Sequence, residues 1–252
     1  MGYMEFVRTA EIGRRHKHVD LFPTLNPRTC RTIDDIRTCM RLRYQEYCVN
    51  RSWEALEQFP DGLERDQYDD SAVHILLEDQ RTGDPVGTVR ILYQSFEAKD
   101  PQFPSFERSD RFQKHMRRHW TKGKLIEISR FTLSREHSAT KVSRADLATG
   151  IFPALALVRG IMRAIAYDDV DTVIMTVAPG LQRMLSRSGF RYHDIGVRID
   201  HRGIRVPIYR ELPALLAELF DKNVEVWRYI TDNGETWPLD RQALERETRY
   251  AI

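Results

Sequence analysis

The segment Leu125-Ile126-Glu127-Ile128-Ser129-Arg130-Phe131-Thr132-Leu133 constrains the fold more than any other stretch of the chain. Its apolar residues, β-branched content and length suit a central strand better than a helix. Yet Glu127 and Arg130 sit inside it, and a charge in a buried strand is costly unless it is paired or put to use. Their odd separation places them on opposite faces of a regular strand. A bulge between them would re-aim one toward the face of the other. The competing reading is a plain strand with one wet face.

The elements around this strand follow from pattern. Residues 1–26 show no clear period and read as an N-terminal extension, and 27–32 as a short first strand. Thr32 opens a helix that runs to about Asn50, with Asp34 and Asp35 in its first turn, where carboxylates suit the helix dipole. Its apolar face carries Ile36, Met40, Tyr44 and Tyr47, with Arg43 at the edge. Val73–Glu78 and Val86–Tyr93 are strands joined by Arg81-Thr82-Gly83-Asp84-Pro85, hence a hairpin. Residues 94–106 read as loop, 108–124 as a basic helix and 134–145 as polar loop. Then come a long apolar helix over 148–167, a buried strand over 172–177 and a helix over 181–188. Strands over 190–199 and 204–209 follow, the latter carrying Pro207 and so placed at a sheet edge. A helix over 213–222 precedes a C-terminal extension, 223–252. The main body, 27–222, is thus a mixed α/β (α+β) sheet with helices on both faces.

At 252 residues and 41% hydrophobic content the chain can bury a proper core. A net charge of +2 argues against a general polycation for nucleic acid. Cys30, Cys39 and Cys48 fit no zinc spacing, and their odd number argues against a disulfide framework, so reduced thiols are expected. His115 and His119 lack a visible third ligand, so no metal site is expected. No signal-peptide or transmembrane pattern is present, which points to a cytoplasmic protein, with peripheral membrane contact left open.

The element order resembles the acetyltransferase-like (GNAT) fold. Arg43, Tyr47, Trp53, Glu64-x-Asp66-x-x-Asp69, Gly87-Thr88-Val89-Arg90 and Glu127-Ile128-Ser129-Arg130-Phe131 resemble the signature of acyl-homoserine-lactone (autoinducer) synthases. Tyr47 departs from it, since those synthases usually carry Phe there. Arg43-Tyr44-Gln45-Glu46-Tyr47-Cys48-Val49, Asp61-Gly62-Leu63-Glu64-Arg65-Asp66, His74 and His201-Arg202-Gly203-Ile204-Arg205 are similar to the PEP-CTERM/exosortase system-associated acyltransferases. These are relatives of autoinducer and N-acyl amino acid synthases. The resemblance implies a fatty-acyl transferase and leaves the acceptor undefined.

Transfer of an acyl group from a thioester needs a neutral amine, and an α-amino group needs to lose only one proton, from a pKa of roughly 7.7–8.0. Glu127 is the candidate base. Ser129 and Arg130 complete the candidate catalytic set, and a bulge in this strand would free backbone N–H groups for the oxyanion. Arg43, Tyr47, Trp53, Asp66, Asp69, Arg90 and Phe131 are candidate substrate-binding residues. The carboxylates and Trp53 suit an amino-bearing or cationic acceptor. The arginines brace these carboxylates or bind an acceptor carboxylate.

Residues 136–144 lack the glycines of a pyrophosphate cradle. Acyl carrier protein is therefore favoured over CoA as the donor's carrier, with Arg111, Lys114, Arg117 and Arg118 as its docking residues and no tightly bound cofactor. Ile151, Phe152, Leu155, Leu157, Ile174 and Met175 are candidates for an acyl tunnel, with plain core as the alternative. Two other readings are an autoinducer synthase using S-adenosylmethionine and a non-catalytic acyl-thioester sensor. Nucleic-acid binding by 108–124 is disfavoured, since no groove-reading motif accompanies the charge.

Overall fold

A computed structural model describes residues 21–95, 101–135 and 153–237. The expected loop 136–144, the tunnel residues Ile151 and Phe152, and most of the expected N-terminal extension lie outside the described residues. The chain builds one twisted sheet between two layers of helices. Its strands are β1 (Leu25–Thr29), β2 (Val73–Asp79), β3 (Pro85–Ser95), β4 (Lys124–Leu133), β5 (Val170–Val177), β6 (His193–Asp194), β7 (Ile199–Asp200) and β8 (Ile204–Glu211). They lie in the order β1-β2-β3-β4-β5-β8-β6, with β7 also on β8. All neighbours are antiparallel except β4 and β5. That parallel pair needs a crossover, which includes α4 (Ala154–Ile165).

Helix α1 (Ile33–Tyr44) starts at a capping box in which Thr32 and Asp35 satisfy each other's backbone N–H. It continues as a π-helical turn, Gln45–Val49, rather than as plain α-helix to Asn50. With α2 (Pro104–Glu107) and α3 (Asp110–His119) it covers one face of the sheet. The other face packs against α4, α5 (Pro179–Arg187), α6 (Leu212–Lys222) and α7 (Val224–Ile230). Gly160 lets α4 approach closely: a Cβ there would lie 2.7 Å from Ile75 Cγ2 and 2.8 Å from Pro27 Cβ.

Two expectations are corrected. The first strand begins at Leu25, inside the expected extension. The expected strand over 190–199 is reduced to two-residue pieces, because a turn around Gly196, at φ +77°, interrupts the pairing. Val226, Trp227, Tyr229 and Ile230 of α7, within the expected C-terminal extension, belong to the main core. Pro207 lies in β8, the last long strand, whose outer flank pairs with the two-residue strands β6 and β7 among the described residues.

Candidate active site

Strand β4 carries the bulge. Thr132 pairs with Thr88 and Ser129 with Arg90, so Arg130 and Phe131 together face the single residue Val89. Arg130 accommodates the extra residue with φ +52°, a left-handed conformation uncommon outside glycine. The kink turns the Arg130 guanidinium toward the groups that Arg90 also binds. Arg90 and Arg130 share Asp66, at 2.5 Å from Arg90 Nη1 and 2.7 Å from Arg130 Nη2.

On its other side β4 follows β5 only as far as Ile128 opposite Met175. Beyond that pair the register ends. A cleft of about 420 Å³ lies there, lined by the backbone segment 128–133 and by Met175, Thr176 and Val177. Glu127 lines it and is 2% exposed. Its Oε2 accepts the Ser105 N–H at 3.1 Å, and Ser105 Oγ hydrogen-bonds Thr176 Oγ1 at 2.6 Å. Burial pushes the Glu127 carboxyl up to about 7, against the opposing pull of Ser105 and of the Arg90 and Arg108 charges. A carboxyl held near neutrality in a cleft can both take and return a proton.

Ser129, Arg130, Phe131, Tyr47 and Trp53 also line the cleft. Ser129 Oγ accepts from Arg90 Nε at 3.1 Å. Tyr47 and Trp53 pack together, with ring centroids 5.7 Å apart. The Trp53 ring is already covered by cations of this chain, Arg51 at 4.7 Å and Arg205 at 5.1 Å.

Arg43, Asp66, Asp69 and Arg90 do not line the cleft. They form a buried ionic lattice instead. Arg43 binds Asp69 in a two-pronged contact, at 2.8 and 2.9 Å, and Glu64 at 2.6 Å. It also donates to the Glu64 carbonyl. Arg90 reaches Asp69 at 3.0 Å, and Arg130 reaches Glu64 at 2.9 Å. Burial alone would raise the Asp66 and Asp69 carboxyls; the arginines overcome it and hold both below the usual carboxylate range. The lattice pins the loop 64–69 to the sheet beside Glu127.

Ser105, Arg108 and Thr176 line the cleft without being candidates in the sequence, and His201, Arg202 and Arg205 stand there only as part of the acyltransferase resemblance. Ser105 lies on the short helix α2, within the expected loop, and Arg108 in the turn that follows it. Thr176 lies at the end of β5. His201, Arg202 and Arg205 come from the β7–β8 hairpin. Arg202 pairs with Glu54, which ties the hairpin to the loop that holds Trp53.

Of the expected tunnel residues, Ile174 points to the opposite face, among Leu92, Phe103 and Phe106, and Leu155 and Leu157 are core without lining the cleft. Met175 lines both the cleft and an adjoining apolar cavity of about 30 Å³ between the sheet, α4 and α6. Ile128 and Phe131 are also shared by the two. Arg111, Lys114, Arg117 and Arg118 are all exposed on α3. The His115 and His119 rings stack at 3.8 Å, and among the described residues no group of three or more side chains is arranged to hold a metal. No described helix is long and apolar enough to cross a membrane.

Residues 42–145 match the acetyltransferase (GNAT) domain family. The acyl-homoserine-lactone synthase LasI superposes with a TM-score of 0.57 at 18% identity, over 78% of this chain and 94% of that one. The chain has the GNAT fold. FeeM, an N-acyl amino acid synthase from uncultured soil microbes, superposes on it with a TM-score of 0.55 at 14% identity, over 77% of this chain and 93% of that one. The CoA-dependent acyl-homoserine lactone synthase BjaI, solved with MTA, gives 0.53 at 15% identity, over 89% and 99%. No curated protein matches in sequence. The matched segment runs from α1 through β4, so the GNAT domain includes the lattice, the bulge and Glu127.

Proposed function

We propose that the chain is an N-acyltransferase that moves a medium or long fatty acyl group from a thioester to the amine of a small acceptor such as an amino acid. The observation that carries this reading is Glu127: a buried carboxyl titrating near 7, in a cleft that opens where β4 and β5 part. The amine attacks the thioester carbonyl, the C–N bond forms and the C–S bond breaks, and the proton lost by the amine leaves with the thiol. Glu127 takes that proton during attack. The bulge leaves Arg130 and Phe131 without individual partners on β3, and backbone N–H groups there stabilise the oxyanion. The acyl chain lies along Ile128, Phe131 and Met175 on the apolar wall of the cleft. The similarity to the PEP-CTERM/exosortase-associated acyltransferases agrees with this reading and with a cytoplasmic setting.

The donor's carrier is acyl carrier protein, an acidic partner for the exposed basic face of α3. The second reading is an acyl-homoserine-lactone synthase using S-adenosylmethionine, favoured by the superposition on LasI. Both are tested by thiol release from acyl-carrier-protein and acyl-CoA, with an amino-acid pool and with S-adenosylmethionine, in wild type and Glu127→Gln, products being weighed by mass spectrometry. Amine-dependent release that the variant loses supports acyl transfer. A lactone product selects the second reading. Thioester binding without release in either protein refutes transfer.

A further inference from the structure

Cys30 and Cys39 are distant in the chain and in contact in the fold. Their sulfurs lie 3.5 Å apart, and either can donate to the other. Both are free thiols in the structure. Two elements that dock on the same stretch of β2 bring them together. Cys30 follows β1, and its N–H donates to the His74 carbonyl at 2.8 Å. Cys39 lies in the middle of α1, fully buried, with its Sγ 3.9 Å from the Ile75 carbonyl. Cys30 is only half-buried, so one sulfur of the pair meets solvent and the other does not. Arg28 and Asp35 flank Cys30, while Thr88 and Arg43, the latter one helical turn further along α1, face Cys39. The Cys30 thiol, Thr88 and the Arg43 charge hold the Cys39 thiol below its ordinary value against the effect of burial. Contact with Cys39, together with burial, raises that of Cys30. Cys48, the third cysteine, is buried elsewhere, in the π-helical turn.

We propose that Cys30 and Cys39 form a dithiol site that a hydroperoxide converts reversibly to a disulfide, fastening α1 to the end of β1 beside the ion-pair lattice. Neither cysteine lines the cleft, so the inference stands apart from the acyl-transfer reading. Bonded sulfurs lie about 2.0 Å apart, so the pair has to close by about 1.5 Å. The half-buried sulfur meets the oxidant. With its proton passed to Cys39, the Cys30 sulfur attacks one peroxide oxygen, the O–O bond breaks, hydroxide leaves and Cys30 becomes a sulfenic acid. The Cys39 thiolate then attacks the Cys30 sulfur, the S–S bond forms, and the S–O bond breaks with loss of a second hydroxide. The two thiol protons turn the two hydroxides into water. One peroxide is thereby reduced to two waters while the two thiols give up two electrons. The bridge holds the helix that supplies Arg43 to the lattice, and it removes freedom from the unfolded chain.

The test treats the full chain, folded and reduced, with hydrogen peroxide, then unfolds it, alkylates it with N-ethylmaleimide and cuts it with trypsin. The peptides Thr29–Arg31 and Thr38–Arg41 are expected to appear joined in the mass spectrum, and to separate when dithiothreitol precedes alkylation. Cys48 should be alkylated to the same extent with and without peroxide. In Cys39→Ser, Cys30 should stop at the sulfenic acid and be captured by dimedone. Thermal denaturation of the oxidised wild type should show a midpoint several degrees above that of the reduced chain, a shift absent from Cys39→Ser. Cys30 and Cys39 both alkylated after peroxide, or Cys30 carried to a sulfinic acid without a bridge, overturns the site in wild type alone, whatever the variant does. Joining of Cys48 to either cysteine as readily as they join each other overturns it too. A bridge that leaves the midpoint unchanged or lowers it overturns the fastening of α1.

Discussion

Burying the Glu127 carboxyl costs stability as well as creating a base. Its titration moves from the ordinary 4.5 to about 7 on folding, so the folded chain holds this proton over a range where the unfolded chain has released it. The contribution to stability is therefore fully present below about 4.5 and is lost as pH rises through 7, by about 3 kcal/mol in all. Glu127→Gln is expected to lower turnover by about 10²–10⁴-fold. The same change should gain stability relative to wild type between pH 4.5 and 7, a difference read from paired urea denaturation curves. A wild-type rate that rises through pH 7 is expected alongside. Arg43 makes the opposite case. It is fully buried with two carboxylates, and removing one side of such a contact strands the other. Arg43→Ala should cost about 3–5 kcal/mol in the same denaturation assay. Glu127 stood out in sequence because a carboxylate amid Leu125, Ile126 and Ile128 is costly unless it is paired, put to use or on a wet face. Ser105, Thr176 and Arg108 did not, because a hydroxyl near a strand end or an arginine after a proline looks like any surface residue until tertiary closure brings it to the cleft.

At the level of elements, the bulge in β4 joins the lattice to the cleft. Arg130 is held at φ +52°, where a side chain costs about 1–2 kcal/mol, while its guanidinium recovers contacts with Glu64 and Asp66. Arg130→Gly removes both the strain and the ion pairs, and Arg130→Ala removes only the ion pairs. Thermal denaturation should rank wild type above Arg130→Gly, and Arg130→Gly above Arg130→Ala by about 1 kcal/mol. Alanine equal to glycine would mean that the bulge relaxes once the guanidinium is gone. The odd spacing of Glu127 and Arg130 left two readings, a bulge or a plain strand with one wet face, and the structure has the bulge. The hairpin and the central strand were legible, because their turn residues and β-branched runs act locally. The region 190–203 was not. Its apolar residues read as strand, but the turn at Gly196 and the tie from Arg202 to Glu54 decide its path, and those are set by distant contacts.

Over the whole molecule, charge is sorted by place. Glu64, Asp66 and Asp69 are spent against Arg43, Arg90 and Arg130 inside the sheet's α1 side, while surplus cations lie on the exposed face of α3 and around the cleft. An acidic carrier protein approaching that face would be steered by it. Arg117→Glu with Arg118→Glu should raise the KM for acyl-carrier-protein at least ten-fold and flatten its salt dependence, with acyl-CoA turnover unchanged. An unchanged KM would place docking elsewhere. The lattice and the β7–β8 hairpin also divide the labour of heredity. The residues that hold the loop 64–69 are interlocked, so any one of them is frozen by its neighbours. The hairpin from His201 to Arg205 rests on a two-residue strand, the tie from Arg202 to Glu54 and the stacking of Arg202 on Tyr47 and of Arg205 on Trp53. A lineage, or an engineer, can therefore rewrite those five positions more freely than the interlocked frame beside Glu127.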